Sequence, residues 1–343
     1  MSILSGGQTD FFGLDVGTGG IRVVQLRGKS IFRYGQAQLA GPISVSEAKA
    51  DRDKLTAAIS QLVQQAGIST KNVVANVPSG KVFSTVLDMD KMSPEALAGA
   101  IKAQADSLIP TPLAKSKVDW AVIGDSPKDP RKAEVLLSSV SNEFVETRLD
   151  TLESAGLNVI AFEPDSMAVI RSVVPADAIA PQLVLDMGAN DTDLVIAMTG
   201  APRLSRAIPV GANTLVRAAV QNLNIQPDQA HQFIFKFGIN KDKLEGQIYN
   251  AIINTVEVLM NEIDKSIKFF AERYPNAKMD RIIVSGAIAV LPNLPLYIAN
   301  RFGLNVEIGN AWRNINVPAE RQNELLSVSN IFAVAAGLAE REQ

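Results

Sequence analysis

Two aspartates carry the plainest chemistry in this sequence. Asp15 lies in Phe12-Gly13-Leu14-Asp15-Val16-Gly17, which leads into Ile21-Arg22-Val23-Val24. Asp186 lies in Leu183-Val184-Leu185-Asp186-Met187-Gly188, which leads into Asp193-Leu194-Val195-Ile196. They are 171 residues apart (186−15), half of a 343-residue chain, and Gly17 and Gly188 share that separation (188−17). Each copy reads as an apolar strand, an aspartate at its end, a glycine-bearing turn and a second apolar strand. A fold built twice, with one such hairpin per half, can close two turns around one anion. A phosphate needs several backbone N–H groups converging on its oxygens, and glycine provides both the turn dihedrals and the room for close approach. Gly17, Thr18, Gly19 and Gly20 supply this in the first half, with Thr18 offering a hydroxyl; Gly188, Ala189, Asn190, Asp191 and Thr192 supply it in the second. Asp15 and Asp186 would face the same point. Two carboxylates repel a bare triphosphate but hold Mg through its waters, so Asp15 and Asp186 are the candidate metal side chains and Mg–nucleotide the candidate ligand. One Asp-x-Gly after a strand is an ordinary turn; the repetition is what argues for a site.

Two further stretches fit the same site. Ile282-Ile283-Val284 ends at Ser285-Gly286-Ala287, and a strand ending at Ser-Gly can bring bare backbone against a flat base or ribose. Residues 165–171 and 330–339 read as helices rich in small side chains, among them Ala333, Ala335, Ala336 and Gly337. Either alone also fits plain core packing; together they would make a close crossing about which two lobes could turn.

These residues need elements to hold them. Residues 11–14, 21–26 and 31–38 read as an antiparallel meander joined by short turns. Residues 53–66 form an amphipathic helix with Leu55, Ile59, Leu62 and Val63 on one face, and 72–77 the next strand. From 82 to 162 the order is β-α-β-β-α-β, read as a small α/β unit inserted in the first half. Within it Ser93 caps a helix that has Pro94 at its first position. The second half repeats the hairpin at 183–198, with a third strand at 203–209. Helices follow at 212–223 and 227–237, and a long one from about 241 to 274 carries Ile248, Ile252, Val256, Leu259, Ile263, Ile267 and Phe270 at helical spacing. Strands at 281–285 and 305–308 flank a helix at 295–302.

Composition narrows the chemistry. Hydrophobic residues make up 47% and charged residues 20%, enough for a sizeable core. The net charge is −3 and no basic run occurs, which argues against nucleic acid. With no cysteine and a single histidine, His231, a thiolate or His-rich metal centre and a Cys nucleophile are excluded. Any metal must rest on oxygen ligands, which favours Mg. Residues 1–8 lack a charged start and a long apolar core, so a loose tail rather than a signal peptide is expected. No apolar run approaches the ~18 residues of a membrane span. A cytoplasmic protein is expected.

Taken in order, these pieces resemble the actin, sugar-kinase and heat-shock-chaperone ATPase superfamily. Its first phosphate loop matches Leu14–Gly20 here, its first connecting helix 165–171, its second phosphate loop Leu185–Thr192, its adenosine loop Ser285–Leu294 and its second connecting helix 330–339. Within it the chain is similar to the PilM family of type IV pilus proteins, whose opening is close to Gly13-Leu14-Asp15-Val16-Gly17-Thr18 with Ile21-Arg22-Val23-Val24-Gln25-Leu26. The position of the early insert fits FtsA and PilM rather than actin and MreB. The chain ends at Glu340-Arg341-Glu342-Gln343 without the membrane helix of FtsA, which favours PilM. Two features depart from the superfamily: Gly286 is followed by Ala287, not a second glycine, and Asp191 makes the second phosphate loop more acidic than an anion loop should be.

The resemblance implies an actin-like (ribonuclease H-like) duplicated two-lobe α/β fold with an inserted small α/β subdomain of the FtsA/PilM type. The expected division is 10–81 with 163–180 and 325–343 as the first lobe core and 82–162 as the insert. The second lobe core is 181–211 with 280–324, and 212–279 is its helical part. It further implies ATP or ADP with Mg between the lobes, at Asp15, Gly17, Thr18, Gly19, Gly20, Asp186, Gly188, Ala189, Asn190, Thr192, Ser285, Gly286 and Ala287. Its implied partner is the N-terminal cytoplasmic peptide of a PilN-like inner-membrane protein, in a groove where the insert meets the first lobe, with residues 82–89 and 97–108 nearest. The protein would then sit at the inner membrane without inserting, couple to the pilus motor platform, and leave self-association open. Hydrolysis needs a residue that orients water at the γ-phosphate; Glu163 and Asp165 are best placed by analogy, and slow turnover or none is expected. The alternatives are an FtsA-like filament-forming protein and a small-molecule kinase of the same superfamily.

Overall fold

A computed structural model describes residues 10–39, 41–46 and 48–341 of the chain. The expected loose tail at 1–8, and Glu342 and Gln343 at the other end, lie outside the described residues.

The first half opens with β1 (Phe12–Val16), β2 (Gly20–Arg27), β3 (Ser30–Gln38), α1 (Lys49–Gln65) and β4 (Asn72–Val77). Next come β5 (Val82–Asp90), α2 (Pro94–Leu108), β6 (Ser116–Asp125) and β7 (Lys132–Ser141), and then α3 (Asn142–Ser154), β8 (Asn158–Pro164) and α4 (Asp165–Val173). The second half holds β9 (Gln182–Met187), β10 (Thr192–Met198), β11 (Ala201–Ile208), α5 (Ala212–Leu223), α6 (Pro227–Phe237) and α7 (Gln247–Arg273). It closes with β12 (Arg281–Ser285), α8 (Leu294–Phe302), β13 (Asn305–Ile308), α9 (Gln322–Val328) and α10 (Ala333–Ala339).

The duplication is visible in the topology. One sheet has the order β3-β2-β1-β4-β8 and the other β11-β10-β9-β12-β13. In each, the strand before the phosphate turn pairs antiparallel with the next strand and parallel with one that returns after a helix. The registers match too: Asp15 stands opposite Arg22, and Asp186 opposite Asp193.

The insert is shorter than its sequence suggests. Only β5, β6 and β7 form its sheet, in the order β5-β7-β6, with Leu97, Ile101 and Ala105 of α2 packed on Val135 and Leu137. The expected last helix and strand of a unit at 82–162 go elsewhere. β8 pairs in parallel with β4, and α3 sends Leu152 into the core of the first sheet. An apolar strand can extend whichever edge the chain returns to, and order along the chain does not say which.

Strand alternation gives each large sheet two apolar faces. Leu183, Leu185 and Met187 of β9 point into a core shared with α5, α6 and α7, so the helical part of the second half has no core apart from that sheet. Val184, Val195 and Ile283 point the other way, into a layer that also receives Val24 and Val74 of the first sheet. α4 and α10 cross inside that layer. A Cβ on Gly337 would run into the Ala168 carbonyl, so the crossing is closed at backbone contact. Only at its start does the long helix depart from expectation. Leu244 and Glu245 have left-handed backbone (φ 49° and 53°), so the regular helix begins at Gln247 rather than near 241. No helix among the described residues is long and apolar enough to cross a membrane.

Candidate functional site

The two glycine-bearing turns close in the same way. Gly17 N–H donates to Gly20 O at 3.0 Å, and Gly188 N–H donates to Asp191 O at 2.8 Å. Their tips meet across the gap between the sheets: a Cβ on Gly19 would lie 3.0 Å from the Ala189 Cβ. None of Gly17, Gly19, Gly20 and Gly188 has left-handed backbone. What glycine supplies here is space, as at Gly20, where a Cβ would sit 2.7 Å from Ala37 O. The expected need for special dihedrals is therefore not met, and the space at Gly20 serves the packing of β2 on β3.

Asp15 and Asp186 act on each other's charge, and burial dominates their electrostatics. Arg22 Nη1 donates to Asp15 Oδ2 at 3.0 Å. Burial nonetheless raises the Asp15 carboxyl above its ordinary range, against the pull of Arg22 and Arg148. Asp186 is pushed up to about 7, by burial first and by the Asp15 charge second. Asp165 and Asp193 are raised well above the usual range, again by burial first and then by neighbouring carboxylates. Asp191 is raised by burial as well. Five aspartates thus lie close enough to act on one another's charge, together with two arginines, Arg22 and Arg148. Arg148, on α3, is itself buried; its Nη2 donates to Ser44 O at 3.0 Å, and burial lowers it to about 10 despite the pull of Asp165 and Asp15. Among the described residues no three His, Asp or Glu side chains are arranged to hold a metal ion, so these carboxylates do not close a coordination sphere by themselves.

The other expected site residues divide. Thr18 is half-buried at the first loop tip. Asn76 Oδ1 accepts the Val16 N–H at 2.8 Å, and its Nδ2 donates to Asp165 Oδ1 at 2.9 Å, which ties the first loop to the start of α4. Ala189 O accepts the Asn213 N–H at 2.8 Å, and Asn190 Oδ1 accepts from Asn213 Nδ2 at 2.8 Å, so the second loop rests on the N-terminus of α5. Thr192 turns inward and donates to Val210 O at 2.7 Å. Fully buried, it braces the loop and is not free to meet a ligand. Ser285 Oγ and Gly286 N–H both donate to Asn330 O, at 2.8 and 2.6 Å, joining the expected adenosine loop to the segment before α10. Gly286 is left-handed (φ 85°), and a Cβ there would lie 2.6 Å from Met187 backbone atoms; only glycine fits. Ala287 opens a short turn over Ala287–Val290.

Glu163 is not part of the carboxylate group. Arg171 Nη2 lies 2.6 Å from one of its oxygens, and Arg341 Nη1 donates to the other at 2.9 Å. A carboxylate held by two arginines cannot serve as a water-orienting base, so of the two expected catalytic carboxylates only Asp165 reaches the cleft. Glu163 instead borders a second concavity of about 1350 Å³ between the insert and the first sheet. Its apolar floor comes from Leu136 and Val140 of β7, Phe162 of β8 and Met167 and Ile170 of α4. The stretches expected nearest a partner groove lie mostly elsewhere. Leu97 and Ile101 are buried in the insert's own core, and of 82–89 only Val82 reaches the groove.

Sequence reasoning missed Arg22, Arg148 and Asp193 as cleft residues. The signal for Asp193 was present: Arg22 and Asp193 are also 171 residues apart (193−22). Nothing in the sequence marks Arg148.

Comparison with known proteins agrees with this geometry. The model of the family "Type IV pilus assembly protein PilM" matches residues 13–343. Among solved structures, the chain is similar to a PilM–PilN type IV pilus biogenesis complex, at 22% identity over 97% of this chain and 98% of that one, TM-score 0.83. It also resembles MreB5 of Spiroplasma citri bound to ADP, at 14% identity over 96% and 95% of the two chains, TM-score 0.55. The ethanolamine utilization protein EutJ from Carboxydothermus hydrogenoformans matches at 13% identity over 97% and 90%, TM-score 0.56. The fold is the actin-like, two-lobed α/β fold.

Proposed function

This chain belongs to the type IV pilus assembly protein PilM family, and we propose that it is an ATP-binding scaffold of the inner-membrane pilus platform that holds the N-terminal cytoplasmic tail of a PilN-like membrane protein. The nucleotide half is carried by the meeting of the two duplicated turns at Gly19 and Ala189 above a shared group of aspartates. Backbone N–H groups of 17–20 and 188–190 would hold the phosphates, and Arg22 would add a positive charge beside them. The aspartates carry acceptor oxygens only, and their mutual repulsion disfavours a bare triphosphate. A hard divalent ion relieves that repulsion, so Mg bound with the nucleotide fits the donor set, held by Asp15, Asp186 and Asp193 through water and ligand oxygens. The backbone at Ser285, Gly286 and Ala287 would receive the base or ribose.

Turnover is slow or absent in this reading. Asp165 is the one carboxyl near the cleft that could orient water, and it is buried and bonded to Asn76. The groove beside the insert supports the partner half: apolar side chains line it together with the charged Arg27, Lys29, Glu163 and Arg171. An apolar floor with polar edges is what an extended peptide requires. Membrane attachment would then come through the partner, and the protein would work on the cytoplasmic side, coupled to the pilus motor platform.

The test is calorimetric titration of the purified protein with Mg–ATP, followed by a synthetic peptide of the partner's N-terminal tail. Binding of both supports the scaffold. Nucleotide binding with no response to the tail removes the partner half, and no nucleotide binding removes the phosphate-clamp reading.

A further inference from the structure

Each strand of the insert hands an acceptor to the second lobe. Glu134 of β7 gives both carboxylate oxygens: Arg203 Nε lies 3.1 Å from Oε2, and Oε1 accepts from Arg273 Nη2 at 2.8 Å and from Tyr274 Oη at 2.7 Å. Asp88 of β5 accepts from Arg273 Nη2 at 2.9 Å, and the Ile123 carbonyl of β6 from Arg203 Nη2 at 2.7 Å. Arg203 belongs to β11, the edge strand of the second sheet, and Arg273 and Tyr274 to the end of α7. Both covalent connections of the insert, through β4 and through α3 to β8, lead instead into the first lobe. The seam continues toward the other ends of β5 and β11, where a Cβ on Gly80 would stand 3.9 Å from the Ala207 Cβ.

Two other meeting points of the lobes are of a different kind. The phosphate turns touch at Gly19 and Ala189, and α4 crosses α10 at Ala168 and Gly337 within an apolar layer. Apolar packing has no preferred direction, so a crossing of that sort can act as a pivot. The Glu134 group cannot give in the same way. A slide of about 1 Å takes its bonds past hydrogen-bond range, and a buried charge that loses its partner is strongly disfavoured. Glu134 and Arg203 are both buried. Any change in the angle between the lobes has to move β11 and the end of α7 against the insert, and so has to strain or break this group.

Resting on the reading that nucleotide sits between the lobes, we propose that the insert is a lock on the lobe angle. The Glu134 group holds the second lobe against the first with the phosphate turns in contact, and it lets go before nucleotide enters or leaves. The rate of nucleotide exchange is then set at a junction whose side chains never touch the nucleotide. Loosening the junction speeds entry and release together, and fastening it slows both.

The experiment fastens the seam and loosens it. The chain has no cysteine, so Gly80→Cys with Ala207→Cys introduces a single pair, and a Cβ separation of 3.9 Å suits a disulfide. Gly80 has no left-handed backbone to strain the substitution. Glu134→Gln loosens the seam, because its amide turns N–H groups toward arginine donors. Two readouts are taken: release of a fluorescent ATP analogue chased with excess Mg–ATP, and amide hydrogen exchange of the turns at 17–20 and 188–191 in nucleotide-free protein. Expected for the oxidised pair is release about tenfold slower, with wild-type release after reduction, and for Glu134→Gln release about tenfold faster. The turn amides should exchange more slowly in the first and faster in the second. Folded variants that release the analogue at the wild-type rate overturn the lock and leave the nucleotide reading standing. If the wild type binds no nucleotide, that reading falls and the turn amides decide the lock alone: protection gained on oxidation sustains it, and indifference overturns it. Should Glu134→Gln fail to fold, the oxidised and reduced pair decide by themselves.

Discussion

Glu134 of β7 and Arg203 of β11 face each other at 3.1 Å, with 1% and 3% of their side chains exposed, although one belongs to the insert and the other to the second sheet. Glu134 also accepts from Arg273 Nη2 at 2.8 Å and from Tyr274 Oη at 2.7 Å, and Arg273 reaches Asp88 of β5 at 2.9 Å. Arg203 adds a bond to the Ile123 carbonyl. The insert is thus joined covalently to the first sheet and clamped by charge to the second.

Removing one member of a buried ion group leaves the others uncompensated, which costs about 3–5 kcal/mol. Glu134→Ala should lower unfolding stability by about that much, because Arg203 and Arg273 lose their shared acceptor, and Glu134→Gln by less. Chemical denaturation measures both. A loss below about 1 kcal/mol for Glu134→Ala would mean the clamp is not formed in solution.

Asp186 predicts a gain. Its folded carboxyl is pushed from 3.8 to about 7, so its contribution to stability is fully present below 3.8 and is lost as pH rises through 7. At pH ~8 the buried charge opposes folding. Asp186→Asn should therefore stabilise the nucleotide-free protein by about 1–3 kcal/mol there. That is less than the full shift implies, since Asp186 is only partly buried and solvent screens its charge. The gain should vanish toward pH ~4. The same substitution should weaken Mg–ATP by about 1.5–3 kcal/mol. Thermal melts across pH, with calorimetry beside them, check the pair; a variant that is destabilised at high pH refutes the argument.

Much of this was legible because the chain repeats itself. The separation of Asp15 from Asp186 located both hairpins, and the small side chains at 165–171 and 330–339 marked the two helices that cross between the sheets. What escaped was set by three-dimensional neighbours. β8 reads as a strand in any context, and only its pairing with β4 removes it from the insert. Glu163 and Asp165 are two residues apart, yet one turns to arginines at the groove and the other to Asn76 at the cleft. Thr192 counts in sequence as part of the second phosphate loop, but its hydroxyl donates to Val210 O.

Gly337 and Gly99 make opposite predictions from one substitution. A Cβ on Gly337 meets the Ala168 carbonyl inside the helix crossing, whereas a Cβ on Gly99, in α2, meets nothing within 4 Å. Gly337→Ala should force α4 and α10 apart and cost about 1–3 kcal/mol or more. Gly99→Ala should stabilise by up to about 1 kcal/mol through helix propensity. Denaturation curves of both variants check this. Equal effects would mean that the crossing has slack.

Arg22 and Asp193 occupy the same register position of the two hairpins and carry opposite charge. The cleft is therefore duplicated in backbone but not in electrostatics. A cation at the first hairpin is suited to phosphate oxygens directly, while an acid at the second is suited to whatever cation accompanies them. Arg22→Ala should weaken nucleotide by about 1.5–3 kcal/mol whether or not Mg is present, since a charge-assisted bond is lost in either case. Arg22→Lys should recover part of that, without the forked geometry. Asp193→Asn should weaken Mg–ATP but leave ATP in chelator unchanged or tighter, because removing a buried negative charge favours a bare anion. Calorimetric titrations with Mg and with chelator separate the four cases. If both substitutions respond to Mg alike, the two hairpins do not divide the ligand between phosphate and metal, and Arg22 would be read as no more than the counter-ion of Asp15.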